Sequence, residues 1–170
     1  MAVTYKLIET ATVSAGGGAA NIEFTSIPQT YTDLVIVYSG RSATAAVGDD
    51  VYIRFNGLST NLSSRYFLGN GASVSSSAYA STAYVGYIPA ASATGSVFGN
   101  ASIYIPSYTA AINKSMSCDS VTENNGTTAY TFLNSALWSA TAAITQINIY
   151  SANGNFVQHS SASLYGIKNS

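Results

Sequence analysis

Few side chains in this 170-residue chain could do chemistry, and their surroundings say what each could attempt. His159 is the only histidine, so a Ser-His-Asp or Cys-His arrangement must run through it. It sits in FVQHSS, and in a chain this rich in serine a hydroxyl near a histidine is what composition alone produces. Asp49 and Asp50 form the only acidic doublet, in AVGDDVY just ahead of a strand-like run. Paired carboxylates can hydrolyse glycosides or hold Ca²⁺ with backbone carbonyls. Neighbours entering a strand point to opposite sides, however, and no EF-hand spacing surrounds them. The pair reads as a solvated turn, with calcium as the second reading. Glu123, Asn124 and Asn125 make a similar oxygen-rich turn and read the same way.

The remaining candidates are weaker. Gly16-Gly17-Gly18 could be mistaken for a phosphate cradle, but no Gly-Lys-Ser/Thr follows and no helix is indicated. It reads as a flexible hairpin connection, and GSVFGN (Gly95 to Asn100) likewise lacks the lysine and the helix. Cys118 is the only cysteine, which excludes an intramolecular disulfide and a Cys/His zinc cluster. Sequons begin at Asn61, Asn100, Asn113 and Asn125, as expected by chance from so much Asn, Ser and Thr. Arg41, Arg54 and Arg65 lie in one third of the chain near Asp33, Asp49 and Asp50, and mutual pairing is the default expectation. Thirteen tyrosines admit two readings: an adhesive or sugar-binding face, or side chains that tolerate half-buried strand positions. The expectation is a non-catalytic protein with no catalytic, cofactor-binding or metal residue.

These side chains must be carried by strands. TDLVIVYSG (Thr32 to Gly40) puts Leu34, Ile36 and Tyr38 on one face and Val35 and Val37 on the other, both reading as buried. VYIRFN (Val51 to Asn56) alternates with Val51, Ile53 and Phe55 inward and Tyr52 and Arg54 outward. Ile103 to Ile105, Ser115 to Val121, Ala129 to Leu133, Ile144 to Tyr150 and Ser163 to Ile167 alternate likewise. Tyr5 to Val13 and Ala20 to Ile27 add two more strands. SALWSAT, after Leu133, reads as a loop or one helical turn. The Ser/Ala-rich stretch Gly71 to Thr82 reads as an exposed loop in preference to an edge strand. Asn-Gly recurs at Asn56, Asn70, Asn125 and Asn153, and Pro28, Pro89 and Pro106 each follow an isoleucine. These are turn and strand-end signals, and together they indicate an all-β, jelly-roll-like antiparallel β-sandwich in one domain, 1–170.

Composition limits the partners. Charged residues make up 8% of the chain against roughly 25% in an average soluble domain. A net charge of −1 gives no field to capture nucleic acid or an anionic membrane. The longest strongly apolar run, Leu34 to Tyr38, falls far short of the ~20 residues of a membrane helix. The start, MAVTYKLIETATV, does not read as a secretory signal.

Five stretches carry a resemblance: FTSIPQTYTDLVIVYSGRS (Phe24 to Ser42), VYIRFNG (Val51 to Gly57), IYIPSYT (Ile103 to Thr109), VTENNGTTAY (Val121 to Tyr130) and SLYGIKNS (Ser163 to Ser170). Together they resemble short β-structured virion proteins of tailed bacteriophages, especially those of aquatic hosts. The resemblance implies a capsid decoration (cement) protein that binds across capsomers, assembled in the host cytoplasm and located in the virion. It also implies a homo-oligomer, a trimer by analogy, whose partners are the major capsid protein or other virion proteins. A receptor- or carbohydrate-binding module of a tail or fibre is the alternative, with the tyrosines and Gly71 to Thr82 as its contact surface.

Overall fold

Side-chain alternation with period two governs nearly the whole chain, so the backbone satisfies itself between strands rather than within helices. The computed structural model describes residues 4–126 and 128–168. Thr127, in the sequon starting at Asn125, and Asn169 and Ser170, at the end of the stretch from Ser163, lie outside the described residues. The strands are β1 (Thr4–Thr12), β2 (Asn21–Phe24), β3 (Asp33–Gly40), β4 (Gly48–Phe55), β5 (Leu62–Gly69), β6 (Val74–Tyr79), β7 (Ala83–Pro89), β8 (Gly99–Ile105), β9 (Lys114–Thr122), β10 (Tyr130–Trp138), β11 (Ile147–Ser151) and β12 (Ser161–Lys168).

They form an eight-stranded sheet in the order β1-β12-β3-β8-β9-β10-β5-β6 and a four-stranded sheet in the order β2-β11-β4-β7. Every pairing is antiparallel. The chain passes from one sheet to the other at most connections, which is the jelly-roll manner of winding. Exceptions are the β5–β6 hairpin and the β8-β9-β10 meander, both within the large sheet. Gly16-Gly17-Gly18, all at positive φ, therefore carry the chain between sheets and do not close a hairpin.

Between the sheets lies a core built on Leu34, Ile36, Ile53, Phe55, Trp138 and Phe156. Burying each such side chain contributes about 1.5–3 kcal/mol. β4 alternates as expected, with Val51, Ile53 and Phe55 buried and Tyr52 and Arg54 half-buried. On β3, Leu34, Ile36 and Tyr38 face the core and Val35 is buried, but Val37 is exposed on the outer face. Asn56 and Gly57 are both left-handed (φ 53° and 72°), and Leu58 N–H returns to Phe55 O at 2.8 Å, the tight turn that this dipeptide favours.

Two segments that the sequence reads as loop are strand. β10 continues through Trp138, so SALW is strand: Phe132, Asn134, Ala136 and Trp138 all face inward. Val74–Tyr79 is the edge strand β6, paired along its length with β5, and not a loop. Its side chains are exposed up to Tyr79, which is why they carry no burial signal.

β7 holds one irregularity that shapes the rest. Val51 pairs with Gly86 but Tyr52 pairs with Tyr84, so Val85 is the extra residue of a bulge. Gly86 takes φ 141°, and a Cβ there would lie 2.6 Å from Ser120 Oγ and 2.8 Å from Tyr38 Oη. The bulge lets Tyr84 turn toward Tyr52 while Val85 enters the core. Gly86→Ala is expected to lower stability by at least ~1–3 kcal/mol, the usual cost of a side chain in such a conformation. Urea unfolding would register this as a lower midpoint at an unchanged slope.

Candidate functional site

Asp49 and Asp50 sit on β4, and the strand sends them to opposite sides. Asp49 shares its face with Val51, Ile53 and Phe55 and is 1% exposed, so the solvated-turn reading fails for it. Its oxygens accept from the Ser42 and Thr44 hydroxyls (2.8 Å each), the Ser151 hydroxyl (2.5 Å) and Asn153 Nδ2 (2.8 Å). The carboxylate thus ties the β3–β4 connection to the end of β11. Burial pushes its pKa up, but the four hydrogen bonds outweigh burial and hold it below the ordinary value. Asp50 lies on the outer side of the small sheet and accepts from Tyr52 Oη at 3.3 Å and Tyr79 Oη at 3.5 Å. Here burial, aided by the Asp49 charge, wins over the tyrosine hydrogen bonds and raises the pKa.

Around Asp50 the tyrosines gather. Tyr52 and Tyr84 from the small sheet meet Tyr66 and Tyr79 from β5 and β6, with ring centroids 4.9–6.0 Å apart. Phe132 joins them to Tyr87 and Tyr130, and Tyr150 extends the arc to Arg54, whose guanidinium carbon sits 4.8 Å from the Tyr150 centroid. Tyr84 and Phe132 are almost fully buried and the other tyrosines of the arc are half-buried, each ring packed against at least one other. These tyrosines occupy half-buried strand positions and pack on one another.

The other candidates resolve into structural roles. His159 is exposed at φ 75°, and its N–H bonds Val13 O at 3.1 Å. Asn124 is buried; its Oδ1 accepts from Gly126 N–H and its Nδ2 donates to Thr128 O, while Glu123 Oε1 takes Asn125 N–H. Arg41 donates to the carbonyls of Thr94, Val97 and Ala93, and Arg54 to Asn148 Oδ1, so neutral oxygens stand where carboxylate partners were expected. Cys118 is buried and bonds Val85 O, and burial raises its pKa far above the usual thiol range. Among the described residues no group of three His, Cys, Asp or Glu could hold a metal. Lys114 lies outside the motifs that the sequence offers. It is 1% exposed, with Nζ donating to the carbonyls of Ala110 (2.6 Å), Ile112 (2.5 Å) and Ala142 (3.0 Å).

One surface is left without cover: the outer face of the eight-stranded sheet. Leu133 and Phe67 stand directly opposite each other on β10 and β5, both 59% exposed. With Arg65, Ser76, Ser117 and Ser135 they line a shallow depression of about 670 Å³. Across the sheet the face continues through Tyr104, Val37 and Leu7, all exposed. The side chains around these are mostly Ser and Thr, and Arg65 and Asp119 are the charges nearest the Leu133–Phe67 pair.

The structure defines the chain as an all-β antiparallel sandwich in which the outer face of the large sheet is exposed and carries few charges. Compared with known proteins, the chain matches no family model and no curated sequence.

Opposite pKa shifts give opposite pH signatures. The folded pKa of Asp49 lies below its unfolded value, so its stabilisation is full above the ordinary carboxyl range and is lost as pH falls through the folded value. Asp50 is shifted upward, so its charge opposes folding at neutral pH and is relieved as pH falls through its raised value. Asp49→Asn is expected to cost about 1.5–3 kcal/mol at pH 7, the range for hydrogen bonds to a charged group. Asp50→Asn is expected to raise the urea midpoint at pH 7, with the gain vanishing below the ordinary carboxyl range. Changes of the same sign in the two variants would contradict this account.

Proposed function

We propose that this chain is a non-catalytic structural protein of a tailed-bacteriophage virion, a capsid decoration protein that binds the major capsid protein across capsomers. In this reading it acts as a homo-oligomer, a trimer by analogy with the proteins it resembles, and reaches the virion from the host cytoplasm. The observation that carries the proposal is the outer face of the large sheet. Apart from Arg65 and Asp119, the side chains around its exposed Leu133–Phe67 pair are mainly Ser and Thr, close to the composition of a protein interface, where Lys, Glu and Asp are depleted. Contiguous exposed apolar residues, unlike singly scattered ones, are a mark of contact sites. A tail or fibre module that binds receptor or carbohydrate has less support. The tyrosines it would use are packed against one another, and the Ser/Ala stretch is an ordered strand.

Quantitative mass spectrometry of purified particles tests the location. A decoration protein is expected in numbers comparable to the capsid lattice positions, and a handful of copies confined to the tail would overturn it. On capsids lacking the protein, a Phe67→Ser, Leu133→Ser double variant is expected to bind at least ~10-fold more weakly, equivalent to about 1.4 kcal/mol.

A further inference from the structure

Each sheet ends in two edge strands, and three of the four are blunted. β1 carries Lys6 and Glu9 and a register break between Leu7 and Glu9. β2 is four residues long and includes Glu23. β7 has the Gly86 bulge, ends in Pro89, and is crowded by the tyrosine arc. These are the usual devices that keep a strand edge from pairing. β6 has none of them. Its sequence, VSSSAY, holds no charge and no proline, and its pairing with β5 runs without a break.

The backbone geometry of β6 fixes which groups are free. Asn70 N–H bonds Ser73 O, which makes Asn70 and Ser73 a hydrogen-bonded pair at the hairpin tip. Such pairs alternate along an antiparallel ladder, so Ser75, Ser77 and Tyr79 bond β5. Val74, Ser76 and Ala78 then point their N–H and C=O groups away from the sheet. These three are exposed, and Val74 is 77% exposed.

We propose that β6 pairs antiparallel with β6 of a second copy across a two-fold axis at Ser76. Facing residues in an antiparallel pair must share a sheet face. Centring on Ser76 meets that requirement and places each outward-pointing residue against another: Val74 opposite the partner's Ala78, Ser76 opposite the partner's Ser76. Every such pair exchanges two N–H···O bonds. No side chain on β6 is charged, so the two copies meet without repulsion, and small Ser and Ala side chains permit close approach. The product is one continuous sheet in which the two Phe67–Leu133 depressions, each reaching Ser76, run together. This isologous contact does not depend on the virion reading, and a three-fold assembly would have to use another surface.

Light scattering after size exclusion of the free 170-residue chain, away from any capsid on which a three-fold arrangement would form, is expected to give twice the 17.6 kDa chain mass. Ser76→Pro removes an N–H that faces away from β5, so intramolecular pairing survives and the mass is expected to halve. Ser76→Lys should do the same if the proline variant fails to fold, with an unchanged circular dichroism spectrum as the control. Under mild oxidation Ser76→Cys is expected to form a disulfide-linked dimer. The paired Cα atoms would lie about 5.5 Å apart, within the about 4.4–6.8 Å that a disulfide spans. Ser75→Cys should not cross-link, because its symmetry mate lies about 8 Å away on that geometry. Cys118 is buried and does not compete. A monomeric wild type, or a trimer in which Ser76→Cys stays reduced, would overturn the proposal.

Discussion

Four strands cannot cover eight, and that mismatch organises this molecule. The small sheet lies over the inner face of the large one, with β2 against β1 and β12 and β7 against β8, β9 and β10. Beyond β7 the large sheet still has β5 and β6, whose inner faces need a partner. They find it by closing around the β7 edge, so that Tyr66 and Tyr79 meet Tyr84 and Tyr52. Tyrosine suits this position because its ring buries apolar area while its hydroxyl keeps a polar contact, here with Asp50. The Gly86 bulge supplies the local twist that aims Tyr84 at the gap. The same arrangement that fills the gap shields the edge of β7.

Scarce charge forces a second economy of design. Buried charges ordinarily require a charged partner or several hydrogen bonds. Asp49 takes hydroxyl and amide donors, Lys114 takes three close carbonyls, and Arg41 takes three more. Each charge fastens connections between strands rather than the strands themselves. Asp49 holds the residues after β3 to those after β11, and Lys114 gathers the segments before β9 and after β10. Connections are where a sandwich that winds between its sheets is weakest, since no ladder holds them.

The sequence was most legible where side chains alternate in size and polarity. β4 could be read residue by residue, and so could its parity: Asp49 keeps step with Val51, Ile53 and Phe55, a signal that it faces inward. Lys114 keeps step with Met116 and Cys118 on β9 in the same way. Both were hidden by the habit of placing charges outside. β10 was harder because Asn134 occupies a core-facing position between Phe132 and Ala136, breaking the apolar rhythm. β7 was not read as a strand, since Gly86 and Pro89 interrupt it, and β5 mixes Ser, Arg, Tyr and Phe without clean alternation. β6 carries no side-chain signal at all. Its strand character comes from the backbone of β5, and strand preference in such a place reflects context more than residue type. The tyrosine arc joins β4, β5, β6, β7, β10 and β11, and proximity between distant strands is not written in local spacing.

The distribution of charge carries the last step. Two of the chain's thirteen charged side chains, Asp49 and Lys114, are each only 1% exposed, where charge is hardest to accommodate. The outer face of the large sheet and the β6 edge, where charge would be easily hydrated, are built mainly of Ser, Thr, Ala, Tyr and apolar residues. Folding alone does not select this inversion, because exposed lysines and glutamates have little effect on stability. Solubility would select the opposite, since charge on edges and faces is what keeps sheets apart. Serine hydrates a free face without adding a charge that must be stripped of water or matched when another surface arrives. A surface kept polar but uncharged is therefore suited to exchanging water for protein, and this is the physical ground on which the assembly reading stands.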